Sequence, residues 1–255
     1  MRANTIRERW TDGRPATNAW CSIGSPYSAE ILAASGYDAV TVDLQHGMFG
    51  VDAAITMLQA ISAQAATPMV RVPSLDGAMI MKMLDAGAYG VICPMIETAE
   101  QASELVAACR YPPRGIRSYG PSRGLLHGGV DYVDHADDTV LAWAMIETRA
   151  ALANVEAICA TPDLDAIYIG PSDLASDLGV PIATHPLPQM LNDAVDHIIA
   201  TAHRAGLRVG IFCTDEDMAI DMTSRGVDLV TVRNDAGLLR HATAQILQRI
   251  TPPQP

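Results

Sequence analysis

The chain has 255 residues, is 49% apolar and carries a net charge of −12. That length suits one large α/β domain or two small ones, and it is typical of a barrel of eight strands and eight helices. The acidic balance argues against nucleic acid or an anionic membrane as the main partner, since both require basic patches; an anionic small substrate stays possible, because one arginine or a metal reverses the field locally.

Short, fully apolar runs bounded by turn residues read as buried strands of a parallel sheet. They recur at 18–23, 39–43, 68–72, 90–93, 141–146, 166–169, 207–212 and 228–232. Alanine- and leucine-rich stretches with helical spacing lie between most of them, at 28–34, 52–65, 76–86, 98–110, 150–160 and 215–224. Gly36, Gly87, Gly206 and Gly226 follow or end several of these units, as helix C-terminal glycines do. Eight βα units predict a closed (β/α)8 TIM barrel, a single domain over residues 1–255, with an open doubly wound sheet as the alternative. Two connections exceed a simple crossover. Residues 111–139 are expected to form a functional lid or a partner contact. Residues 177–191, with Pro181, Pro186 and Pro188, are expected to cover one barrel mouth. The tail at 251–255 is expected to fray.

The N-terminus is charged without an apolar core, and no apolar run approaches membrane-spanning length, so neither a secretory signal nor a transmembrane segment is read. Cys21, Cys93, Cys109, Cys159 and Cys213 are odd in number and form no C-x-x-C pair. They read as reduced thiols of a cytoplasmic protein. Lys82 is the sole lysine, in a segment that reads as helix rather than strand end. Schiff-base chemistry would have to use it, so that chemistry is close to excluded.

Barrel active sites collect at the carboxyl ends of the strands. The polar residues there are Asp43 and His46 after the second strand, Arg71 ending the third, Glu147 after the fifth and Asp173 after the sixth. Each has a bland alternative. Asp43 or Asp173 would serve as a helix cap, and Arg71 would simply pair with a carboxylate inside the barrel mouth. Glu147 is harder to dismiss, because a buried strand rarely ends in an unpaired charge. Two carboxylates on nearby strands suit one hard divalent cation. The Gly170-Pro-Ser-Asp173 turn opens a short helix whose free N–H groups suit a carboxylate. Gly170, Ser172 and Asp173, with Arg71, are therefore the candidate substrate-binding residues for a 2-oxo acid.

Val42-Asp-Leu-Gln-His-Gly47, Val70-Arg-Val-Pro73, Leu84-Asp-Ala-Gly-Ala-Tyr-Gly-Val-Ile-Cys-Pro-Met95, Tyr111-Pro-Pro-Arg-Gly-Ile-Arg-Ser118, Met145-Ile-Glu147 and Ile169-Gly-Pro-Ser-Asp-Leu174 occur in that order. Together they closely resemble the HpcH/HpaI family of metal-dependent class II aldolases, which act on 4-hydroxy-2-oxo acids. The resemblance covers about 17–233. It implies a barrel that is usually hexameric, a trimer of dimers, with helix exchange between subunits. It also implies Mg2+, Mn2+ or Co2+ held by Glu147 and Asp173, with no nucleotide cofactor. His46 and Arg71 match the family's catalytic residues; Asp43 and Asp85 match aspartates that support the histidine. Two departures stand out: Gln45 replaces a usual glutamate, and Glu97 a usual asparagine.

The expected reaction joins pyruvate or hydroxypyruvate to an aldehyde, or cleaves the product, through a metal-stabilised enolate. Arg71 would donate to the enolate oxygen, and His46 would be the acid/base at the hydroxyl of the cleaved carbon. Acyl-CoA lyase or oxaloacetate decarboxylase activity, using the same enolate, is the alternative within enzymes. A non-catalytic, metal-dependent oxo-acid binding protein is the alternative outside them. Arg117, Tyr119, Arg123 and His127 in the long connection are candidate aldehyde contacts, with a solvated loop as the competing reading.

Overall fold

In the computed structural model, described over residues 1–182 and 185–251, eight parallel strands close into a barrel in sequence order, with the first pairing to the last. They are β1 (Ala16–Cys21), β2 (Ala39–Asp43), β3 (Thr67–Arg71), β4 (Gly90–Cys93), β5 (Leu141–Ile146), β6 (Ala166–Ile169), β7 (Arg208–Cys213) and β8 (Leu229–Val232). Closure excludes the open sheet. The outer layer begins with α1 (Thr5–Thr11), α2 (Pro26–Ala34), α3 (Val51–Ser62), α4 (Gly77–Asp85) and α5 (Ala99–Cys109). It continues with α6 (Ser122–Gly128), α7 (Tyr132–Thr139), α8 (Arg149–Ala153), α9 (Val155–Cys159) and α10 (Pro171–Leu178). It ends with α11 (Gln189–Arg204), α12 (Glu216–Ser224) and α13 (Asp235–Ile250). Neither α11 nor α13 is among the segments read as helical above.

Alternation along the strands makes two cores. Val40, Val42, Val91, Ala144, Ile167 and Val209 face outward and pack against the helices. Trp20, Met69, Ile92, Trp143, Met145 and Tyr168 fill the barrel, joined from below by Ile6 and Trp10 of α1. That plug is fastened by aspartates preceding three strands. Asp38, Asp165 and Asp228 accept from the N–H groups of Thr17, Ala142 and Val209 on the neighbouring strand. Arg9 then bonds Asp38, Arg7 bonds Asp165, and the Trp10 indole donates to the Asp228 carbonyl. The aspartate leading into a strand thus ties the barrel's lower edge to the helix that seals it.

The 111–139 connection, expected to form a functional lid or a partner contact, is folded rather than an irregular loop. It contains α6 and α7, packed around Arg117, which is fully buried and donates to the Tyr132 hydroxyl and to Asp85. The Tyr111 ring lies 4.5 Å from its guanidinium. His127 is half-buried against Tyr89, and burial lowers its pKa to about 4. Arg123 donates to the Ala86 carbonyl. Of the four proposed aldehyde contacts, only Tyr119 is mainly exposed. The 177–191 connection lies partly outside the described residues, as does the tail beyond Thr251.

Helix α13 buries only Asp235, whose carboxylate accepts from Ser22 N–H, the Ser22 hydroxyl and Ile23 N–H. Leu239, Ile246, Leu247 and Ile250 along the helix are exposed.

Candidate active site

Asp43 and Arg71 are register partners at the carboxyl ends of β2 and β3. Arg71 Nε and Nη2 grip both oxygens of Asp43, at 2.8 and 2.6 Å. Trp20 Nε1 donates to the same carboxylate at 3.0 Å, and the backbone N–H groups of Gln45 and His46 add two more bonds. Burial alone would raise the Asp43 carboxyl, but Arg71, Trp20 and the His46 amide together hold it below the ordinary carboxylate value. The bland reading of Arg71 as a partner for a mouth carboxylate is therefore what the structure contains. It leaves the guanidinium oriented rather than spent: Arg71 still lines the cavity above it, and its planar fork suits a second acceptor.

The turn after β2 brings His46 onto the cavity wall. Asp43 fixes that turn through the His46 backbone, whereas the imidazole has no hydrogen-bond partner among the described residues. Gly47 is required here, because a Cβ would stand 2.2 Å from the Asp43 carbonyl. Gln45 keeps its Oε1 buried without a donor among the described residues. Asp85 lies elsewhere. It ends α4, which runs back from the β3 rim toward the opposite barrel face, and its carboxylate bonds Arg117. Within one chain it does not join the site.

Glu147, 2% exposed, follows β5. Its Oε1 accepts from Met95 N–H at 2.8 Å, and its Oε2 faces Gly170, where a Cβ would stand 2.7 Å away. Burial raises its pKa, the Met95 amide opposes the rise, and Asp173 adds to it. Asp173 is exposed in the first turn of α10 and lines the cavity with Ser172 and Gly170. Glu97 accepts from the Thr148 hydroxyl, bracing the segment just after Glu147.

The cavity holds about 200 Å³. Trp20, Tyr168, Phe212 and Met145 give it an apolar floor, and Asn234 completes its polar rim. None of these five is among the residues read as functional from sequence, because an aromatic residue in a buried strand reads as core. Lys82 is exposed on α4, outside the barrel.

Whether the site suits a cation follows from its donors. Among the described residues no cluster of three or more His, Cys, Asp or Glu is found. Two carboxylates remain, one of them with its pKa raised by burial and further by its neighbour's charge, and near an arginine already committed to Asp43. A Mg2+-like ion typically takes one or two carboxylates and fills its other positions with water and substrate oxygens. Glu147 and Asp173 fit that description.

A parallel (β/α)8 barrel that gathers acid, base and guanidinium at the carboxyl ends of its strands, over an apolar floor, is the architecture of a barrel enzyme. The profile of HpcH/HpaI aldolase/citrate lyase matches residues 17–242. A hydroxypyruvate/pyruvate aldolase of Rhizorhabdus wittichii is 42% identical over 245 residues, covering 96% of this chain and 97% of that protein. A 5-keto-4-deoxy-D-glucarate aldolase of Klebsiella pneumoniae is 38% identical, with 89% of each chain covered. The crystal structure of an HpcH/HpaI aldolase/citrate lyase family protein from Burkholderia cenocepacia superposes with a TM-score of 0.89 at 32% identity, covering 98% of this chain and 100% of that one. The chain belongs to the HpcH/HpaI aldolase/citrate lyase family, whose members break and form carbon–carbon bonds.

Proposed function

We propose that the protein is a divalent-cation-dependent class II aldolase that cleaves and forms 4-hydroxy-2-oxo acids, with pyruvate or hydroxypyruvate as donor and an aldehyde as acceptor. The observation that carries this reading is the buried Glu147, with one oxygen held by Met95 and the other facing Gly170 with no hydrogen bond among the described residues, close enough to Asp173 to feel its charge. Relatives named as hydroxypyruvate/pyruvate and 5-keto-4-deoxy-D-glucarate aldolases favour it over acyl-CoA lyase activity.

When bound, Mg2+, Mn2+ or Co2+ supplies Lewis-acid stabilisation of the enolate charge. Arg71, fixed by Asp43, donates to the 2-oxo oxygen; one preorganised donor of this kind is worth about 3 kcal/mol as that charge develops. The N–H groups of Ser172 and Asp173, at the start of α10, receive the substrate carboxylate. In cleavage His46 takes the proton from the 4-hydroxyl while the C3–C4 bond breaks. The aldehyde leaves, and the enolate takes a solvent-derived proton at C3 to give pyruvate, while His46 returns its proton to solvent.

The test is deuterium exchange into the pyruvate methyl group beside aldol cleavage. Arg71→Ala should abolish both, and Glu147→Ala should abolish the metal-dependent exchange. His46→Ala should impair cleavage far more than exchange. Exchange that survives in Glu147→Ala with chelator present would remove the cation from the reaction, and equal losses in His46→Ala would reassign the histidine.

We further propose a homo-oligomer, a hexamer built as a trimer of dimers, in which α13 is exchanged between subunits. The apolar residues that α13 leaves in water support this, as do Tyr27 and Ile31, exposed on α2. Asp85, remote from His46 in its own chain, would then act on the His46 of a neighbour. Five buried, unbridged cysteines are in keeping with a cytoplasmic location; among the described residues no helix is long and apolar enough to cross a membrane.

A further inference from the structure

Among the described residues, three other than glycine adopt a left-handed backbone: Met95 (φ 56°), Asp163 (φ 61°) and Arg233 (φ 54°). A residue with a side chain rarely holds that conformation unless its surroundings impose it. Met95 and Arg233 follow the carboxyl ends of β4 and β8, on the rim that carries the cavity.

At Met95 the cause is visible. Pairing of β4 with β5 ends at Cys93, opposite Ala144. Pro94 has no N–H with which to continue the ladder, and the next two amides turn to different targets. Met95 N–H donates to Glu147 Oε1 at 2.8 Å, and Ile96 N–H donates to the Met145 carbonyl at 3.3 Å. The Glu97 and Thr98 amides then bond Gln101 Oε1, where α5 begins. The turn is pinned at every amide that it has. The Met95 side chain is 49% exposed, so its packing does not dictate the backbone.

We propose that Met95 is a positioning residue for the cation site: its left-handed backbone holds Glu147 by Oε1 and leaves Oε2, beside Gly170, as the oxygen presented to the cation. This rests on the reading of Glu147 and Asp173 as cation ligands. Hydrogen bonds from outside the ligand set fix a ligand's orientation and commonly decide its affinity. Here the donor is a main-chain amide, so the backbone conformation at residue 95, rather than its side chain, is the functional property.

The test is Mn2+ binding to the full-length protein, read from the paramagnetic resonance signal of free Mn2+, with circular dichroism and oligomer size as controls. Glycine and asparagine accept the left-handed region, whereas a β-branched residue strongly resists it. Met95→Gly and Met95→Asn should bind Mn2+ as the wild type does, while Met95→Val should bind about 10–100-fold more weakly. If Met95→Val does not fold, Met95→Ala replaces it, with a smaller loss in the same direction. Wild-type affinity in the Val or Ala variant that folds, or losses in Gly and Asn equal to that variant's, would overturn the positioning role. Should the wild type bind no Mn2+, or Glu147→Gln bind it unimpaired, the cation reading fails first and the positioning role with it.

Discussion

Replacing Glu147 by glutamine should stabilise the protein without divalent cation and destabilise it, relative to wild type, with cation present. Glu147 is 2% exposed and, among the described residues, has one hydrogen-bond donor, the Met95 amide, from which a glutamine oxygen also accepts. Its charge is opposed by burial and by Asp173. Neutralising a buried charged group short of partners relieves about 1–3 kcal/mol. The sign with pH follows from the direction of the shift. The folded-state pKa is raised, so the folded protein binds the proton more tightly than the unfolded chain. Cation-free wild type should therefore lose stability as pH rises from the ordinary carboxylate value through the raised one, and Glu147→Gln should lack that slope. A cation at about 1,000 times its dissociation constant adds about 4.1 kcal/mol to the form that binds it. The wild type should gain that and the glutamine variant should not, so their order reverses. Urea unfolding at pH 7.5 and one fixed protomer concentration, in chelator and then in excess Mg2+ or Mn2+, measures both arms. A glutamine variant less stable than wild type in chelator would show that the carboxylate is structurally satisfied, refuting the argument.

Asp43→Asn should act on the arginine. Its amide nitrogen must face one of the donors that Asp43 now accepts, leaving Arg71, 7% exposed, without its partner. Breaking such a buried pair costs about 3–5 kcal/mol, and both exchange and cleavage should fall together. Because the Asp43 pKa is lowered in the fold, its stabilisation is complete above the ordinary carboxylate value and is lost as pH falls through the folded one. The asparagine variant should show a flatter acid limb in unfolding experiments. Leu247→Glu, on the exposed face of α13, should leave the barrel folded but lower the oligomer mass measured by light scattering; an unchanged mass would separate that helix from assembly.

Barrel strands are legible where both faces are buried. The strands read at 39–43, 90–93, 141–146 and 166–169 match β2, β4, β5 and β6 to the residue, and every position in them is buried. The reading shifts at β1 and β7, where Thr17 and Arg208 face water and the apolar run starts late or early relative to the hydrogen-bonded one. It also shifts by one residue at β3, which is buried throughout but begins at the polar Thr67. A charge just past a buried strand is equally legible: Asp43, His46, Arg71 and Asp173 line one cavity, and Glu147 lies buried beside its Gly170. Trp20, Tyr168 and Phe212 were not legible as site residues, since strand alternation says that they face inward but not how near the mouth closure sets them. Met95 carries a faint signal, a proline directly after a strand and before it, but a left-handed methionine cannot be told from an ordinary one by composition.

Asp85 and α13 are a different case, because within one chain Asp85 pairs with Arg117 rather than His46, and α13 leaves its apolar residues uncovered. Asp85 is bound to Arg117, at the opposite face from His46, while the His46 imidazole has no partner among the described residues. Leu239, Ile246, Leu247 and Ile250 are apolar residues in water along a 16-residue helix. Such a helix gains most of its stability from packing rather than propensity. Asp235 anchors its base to the β1–α2 turn, one residue from Asn234 on the cavity rim. Any surface that orders α13 therefore pulls on that rim. In the proposed oligomer a second copy of this chain would supply both a unique imidazole orientation and a packed α13, and loss of assembly is then expected to reach catalysis before it reaches the barrel.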